Sequence, residues 1–208
     1  MKNNLLLVII LVGSITGIIF GSMLTHTTSH AKQQVEAILA QEQKQLPTPD
    51  PTPRPSVPPG IPLTITIPKI HVSAAVESVK MDAQGRMDIP KRADDTAWYS
   101  PGYKPGMNGS AVIDGHLDKV TGAPAVFWNL KLLSVGDHIL VSENNDRKYI
   151  FAVSRIVRYP YNNFPIQEVF GASQTPMLNL ITCNGVWDKN TKNYSDRLVV
   201  YSTLVAQN

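Results

Sequence analysis

The stretch LNLITCNG, residues 178–185, runs largely apolar from Leu178 to Thr182 and then meets Cys183, the single cysteine of the chain. Asn184-Gly185 follows, a pair that permits an abrupt turn. One cysteine makes no internal disulfide. It is either a small buried hydrophobe or a nucleophile carried to the rim of a sheet by the strand before it. A thiol has an ordinary pKa of about 8.5, so the second role needs an imidazole and a cation nearby.

Working outward, the neighbouring segments read as short strands. LTITIP (63–68) alternates and is β-branched. AAVESVK (74–80) and GRMDIP (85–90) suggest two more strands around a DAQG turn. SAVIDGH (110–116) climbs through apolar residues to Gly115-His116. APAVFWNLKLL (123–133) has the spacing of a short helix. Residues 138–159 form a hairpin around Glu143–Arg147, and NNDR is its turn. FPIQEVFG (164–171) fits one helical turn, while MLNLITC (177–183) and RLVVYSTLVA (197–206) supply the last strands. Short strands between turn signals predict a mostly β, mostly antiparallel barrel or sandwich with little helix.

Of the five histidines, His116 alone has a strand-end, glycine-flanked setting. His71 and His138 fall in or beside strand patterns, and His26 and His30 near the N-terminal apolar run. Arg197 opens the strand after Cys183 and can reach the same rim. The ordinary alternative is a surface pair with Asp196. Asp118 could orient the imidazole or simply sit in a solvated turn.

The N-terminus places the domain. Residues 1–4 carry Lys2, and LLLVIILVGSITGIIFGSML (5–24) follows without a charge. Twenty residues at ~1.5 Å span roughly 30 Å, a bilayer core. This is longer than a signal-peptide core, so a retained signal anchor is expected, although Ser29–Ala31 resembles a cleavage site. Lys2 puts residues 1–4 in the cytoplasm and the rest outside the cell. Residues 25–62 are a juxtamembrane segment and a spacer, PTPDPTPRPSVPPGIP, half proline and extended. Residues 63–208 are the domain. The net charge of +3 is spread without a basic stripe, which argues against nucleic acid as a partner.

LNLITC resembles the T-L-x-T-C signature of the sortases, with His116 upstream in a G-H motif and Arg197 on the next strand. GHLDKVTGAPAVFWNLKLLSVGDHILV, FPIQEVFG and LITCNGVWD are most similar to class F sortases. The resemblance implies a sortase-like closed β-barrel with short helices over residues 63–205. It implies a cysteine transpeptidase that cuts an L-P-x-T-G-type sorting signal between Thr and Gly and passes the acyl group to a peptidoglycan amine. Cys183 would be the nucleophile, His116 the general acid and base, and Arg197 the oxyanion donor. Thr182 would help shape the substrate threonine pocket, and Phe164, Pro165 and Ile166 would receive Leu-Pro. Asn179 departs from the first Thr of the signature, with an effect expected on packing and not on chemistry. No metal or cofactor is required, although some relatives bind calcium. A hydrolase releasing surface proteins needs the same three residues. A tethered, non-enzymatic wall-binding module would carry an inert thiol.

Overall fold

The computed structural model describes residues 58–208. The cytoplasmic segment, the apolar span and the spacer up to residue 57 lie outside the described residues. Eight strands close into one barrel: β1 (Pro62–Ile67), β2 (Val72–Val79), β3 (Thr96–Tyr99), β4 (Gly109–Gly115), β5 (His138–Glu143), β6 (Lys148–Pro160), β7 (Pro176–Asp188) and β8 (Asn193–Gln207). Their order round the barrel is β1-β2-β3-β4-β7-β8-β6-β5, with β5 closing on β1. One helix, α1 (Ile166–Phe170), lies in the β6–β7 connection.

Alternation builds the wall. Inward residues such as Ile65 and Ile67 of β1, Ile113 of β4, Phe151 of β6, and Leu178 and Leu180 of β7 are fully buried. Each contributes roughly 1.5–3 kcal/mol of apolar burial. The β5–β6 hairpin forms where the sequence reading puts it, turning through Asp146 at φ 63°. Most pairings are antiparallel, but β2 with β3 and β4 with β7 run parallel. Each needs a crossover.

The structure corrects three local readings. GRMDIP is not a strand. It makes a single bridge, Met81 to Met87, inside the β2–β3 crossover. The third strand is instead TAWY, too short to announce itself. APAVFWNLKLL is a series of turns ending in a 3₁₀ turn at Leu130–Leu132. Its amides are spent elsewhere: Ala125 N–H donates to the Leu117 carbonyl (3.0 Å) and Phe127 N–H to that of His116 (2.9 Å). Phe127 and Leu130 plug the barrel, both fully buried. Residues just before Leu63 also bond to the domain. Gly60 N–H donates to Glu143 Oε2 (2.8 Å), and Lys104 Nζ reaches the Pro59 carbonyl (3.1 Å).

Candidate active site

The site is a three-by-three patch on the outer face of β4, β7 and β8. Side chains two apart on a strand share a face, and paired residues stand side by side. Val112 pairs with Asn179 and Asn179 with Tyr201. One pleat on, Asp114 pairs with Ile181 and Ile181 with Val199. In the next row Cys183 pairs with Arg197. Continuing the β4–β7 register by two residues sets His116 beside Cys183. The first row is covered by α1, where Val169 and Phe170 pack on Val112 and Tyr201. Asp114 and Ile181 of the second row line an open groove of about 620 Å³, together with Cys183 and Arg197. One wall comes from the crossover at Met81 to Ile89. The other comes from Tyr161, Phe164, Ile166 and Phe170.

Gly115 permits this geometry. A Cβ there would overlap the Phe127 ring and Val126, so the backbone before His116 can lie tight against the barrel plug. His116 Nε2 lies 3.0 Å from the Pro90 carbonyl. A carbonyl only accepts, so Nε2 carries a proton, and Nδ1 is the nitrogen left to exchange one.

Cys183 is half-buried. Burial pushes its thiol above the ordinary value, the Arg197 guanidinium pulls it back, and the Asp114 and Asp118 carboxylates push it up again. The thiol is therefore protonated at neutral pH, and its reactive form is a minority state. Arg197 Nη1 donates to the carbonyls of Tyr194 (3.3 Å) and Asp196 (3.0 Å), and Nη2 donates to Asn193 Oδ1 (2.8 Å). The Asp196 carboxylate takes the Ser195 hydroxyl instead, so the surface ion pair does not form. Gly185 at φ 86° makes the irregular β7–β8 register that brings these acceptors in.

The remaining expected residues divide. Phe164 and Ile166 line the groove, Ile166 with 62% of its surface open. Pro165 is not part of that lining. Its carbonyl accepts from the Glu168 and Val169 amides and starts α1. Thr182 points into the barrel, 1% exposed, and its hydroxyl donates to the Gly115 carbonyl (2.7 Å). It ties the ends of β7 and β4 together beneath the His116–Cys183 row. Asp118 accepts from the Tyr194 hydroxyl (2.6 Å), bracing the β7–β8 turn against the segment after β4. Asn179 is wholly buried, and its Nδ2 donates to the Val169 carbonyl (2.7 Å). The departure at this position therefore pins α1, and with it one groove wall, to β7. Among the described residues no three His, Cys, Asp or Glu side chains gather as a metal site.

The sequence reading missed Asp114, Tyr99 and the Met81–Ile89 wall. Asp114 left one signal, a charge inside an otherwise apolar strand run. The wall left none, because its role depends on where the crossover lands.

Residues 65–205 match the family described as the sortase domain. The chain belongs to the sortase family. Sortases are cysteine transpeptidases, and so is this protein. Its barrel is similar to sortase C1 of Streptococcus agalactiae, with TM-score 0.54 and 19% identity over 69% of this chain and 67% of that one. It is also similar to sortase C-1 of Actinomyces oris, with TM-score 0.54 and 22% identity over 69% and 71%. Listeria monocytogenes sortase A gives TM-score 0.55 and 15% identity over 72% and 90%. No curated protein matches by sequence. In this sortase the lone thiol and the guanidinium line one groove, and the imidazole follows two residues after Asp114, which lines it too.

Proposed function

We propose that this sortase is a membrane-anchored enzyme of class F type that cuts an L-P-x-T-G-like sorting signal between Thr and Gly and joins the new carboxyl end to a peptidoglycan amine. One observation carries the reading. Cys183 and Arg197, cross-strand partners, line an open groove walled largely by apolar side chains, and His116 follows two residues after Asp114 of that same lining. The uncharged run at residues 5–24 supports the anchor and an extracellular domain. The resemblance of GHLDKVTGAPAVFWNLKLLSVGDHILV supports class F.

The chemistry follows from the geometry. The Cys183 thiolate attacks the Thr carbonyl carbon, forming a C–S bond and an oxyanion. Arg197 has donors beyond those it spends on the β7–β8 turn, and these stabilise that charge. The C–N bond breaks as imidazolium His116 gives its Nδ1 proton to the leaving glycine amine. The incoming amine then attacks the thioester and passes its proton to His116, and the C–S bond breaks to restore the thiolate. The upstream residues of the signal lie along the Phe164 and Ile166 wall.

The test is a peptide-library cleavage assay on the full chain in detergent, with and without added oligoglycine or diamine. Cleavage between Thr and Gly, with amine-dependent ligation product, supports the proposal. Cleavage that yields only acid whatever amine is present would make the enzyme a hydrolase. No cleavage of any library member would overturn the substrate class.

A further inference from the structure

Asp114 is the one charged side chain in the second row of the patch, where its row neighbours are Ile181 and Val199. It shares its strand face with His116, about 6.6 Å along β4. It lines the same groove as Cys183 and Arg197. The mechanism above gives it no task. Yet an ordinary core would place a valine or isoleucine there, as β7 does with Ile181 and β8 with Val199. A carboxylate in this setting is costly. Burial pushes it up to about 6, with His116, Arg197 and the Gly115 amide only partly offsetting that cost. A carboxylate kept at a site that disfavours it is a candidate for function.

We propose that Asp114 is a positioning residue for acyl transfer, whose carboxylate favours the protonated form of His116 and holds back ionisation of Cys183. The proposal rests on the reading of His116 as the general acid and base. Its consequence is directional. A charged Asp114 makes His116 the stronger base toward the incoming amine, and it keeps the free thiol from standing as an exposed thiolate between turnovers.

The other charges facing the groove do not duplicate this role. Arg197 pulls against it from β8. Asp82 and Arg86, on the crossover wall, pair with each other at 2.8 Å. Asp88 caps its own chain through the Ile89 amide. Tyr99 and Tyr161 are phenols on β3 and on the opposite wall. Asp118 also raises the thiol, but its carboxylate is held by Tyr194.

The experiment follows two titrations in the full-length chain in detergent. Iodoacetamide alkylation against pH reports Cys183, the only thiol. Carbon-labelled histidine spectra, with His116→Gln to assign the signal, report the imidazole. Charges this far apart beside a watered groove shift each other by about 0.5–1 pH unit. Asp114→Asn should lower both midpoints by that amount, Asp114→Ala should do the same, and Asp114→Glu should return them toward wild type. In the wild type, the His116 signal should itself show a second inflection near 6 as Asp114 titrates. A folded Asn or Ala variant with both midpoints unmoved overturns the proposal, as does a wild-type His116 signal without that inflection. Neither titration uses a sorting peptide. Failure of the substrate reading would therefore appear as uncut peptide, with the two titrations still shifting.

Discussion

Replacing Arg197 by lysine keeps the charge and removes the fork. In the structure the guanidinium spends three bonds on acceptors spread over residues 193–196: the Tyr194 and Asp196 carbonyls and Asn193 Oδ1. Those bonds clamp it to the β7–β8 turn, directly across the ladder from Cys183. Its remaining donors stay unspent on a side chain that lines the groove. A lysine ammonium gathers its donors on one atom at the end of a flexible stem. It cannot hold those acceptors and also meet an oxyanion at the Cys183 thioester. Losing one well-aimed oxyanion donor costs about 10²–10³ in rate, roughly 3–4 kcal/mol. The loss should fall on kcat, because the charge develops in the transition state and not in bound substrate. The clamp has its own cost. Part-buried hydrogen bonds contribute about 1 kcal/mol each, and lysine recovers some of them. A net loss of about 1–2 kcal/mol and a few degrees of Tm is expected. Asn193→Ala separates the two effects. It removes one clamp bond and leaves the guanidinium, so Tm should fall by about half as much and kcat by less than about tenfold. The assay is kcat and KM on a fluorogenic sorting peptide beside thermal melting. Near-normal kcat for Arg197→Lys with a lowered Tm would refute the reasoning. Arg197 would then be a brace for the turn, and backbone amides near Cys183 would hold the oxyanion.

Cys183→Ala should abolish turnover and shift Tm by little, since the residue is half-buried; peptide cleavage by the purified variant would contradict the nucleophile assignment. Asn179→Ala should cost about 1–3 kcal/mol, because it strands the buried Val169 carbonyl. It should also raise KM more than it lowers kcat, since α1 carries a groove wall; an unchanged KM would detach Asn179 from substrate binding. The pH dependence of stability offers a further check through Asp114. Its folded value lies above the ordinary 3.8, at about 6, so ionisation opposes folding. That cost is absent near pH 4, grows as pH rises through 6, and is complete above it. The shift corresponds to about 3 kcal/mol at most, and to about 1–2 after screening by water in the groove. Asp114→Asn should therefore melt a few degrees higher than wild type at pH 8 and at the same temperature near pH 4; equal melting at both would show that the carboxylate carries no such cost.

The sequence by itself carried the local physics. Alternation marked β1, and apolar or β-branched runs between turn signals marked β2 and β4 to β8, where β4 and the start of β7 are buried on both faces. It also marked strand ends, where Asn184-Gly185 and Gly115 release the chain beside Cys183 and His116. Where side-chain spacing and backbone pairing disagreed, the sequence misled. APAVFWNLKLL has helical spacing, but its amides at Ala125 and Phe127 are taken by the carbonyls of Leu117 and His116, so no helix forms. What the tertiary structure alone decided was register and face. The parallel β4–β7 register, continued two residues past Asp114–Ile181, brings His116 level with Cys183 across 66 intervening residues of chain. The β7–β8 ladder then places Arg197 opposite the thiol. A shift of one residue in either ladder would turn one of these side chains into the barrel. Only closure of the barrel made that outer face the floor of a groove and set the Asp114 carboxylate in it, because a strand's own sequence shows that it has two faces and not which one the rest of the chain will cover.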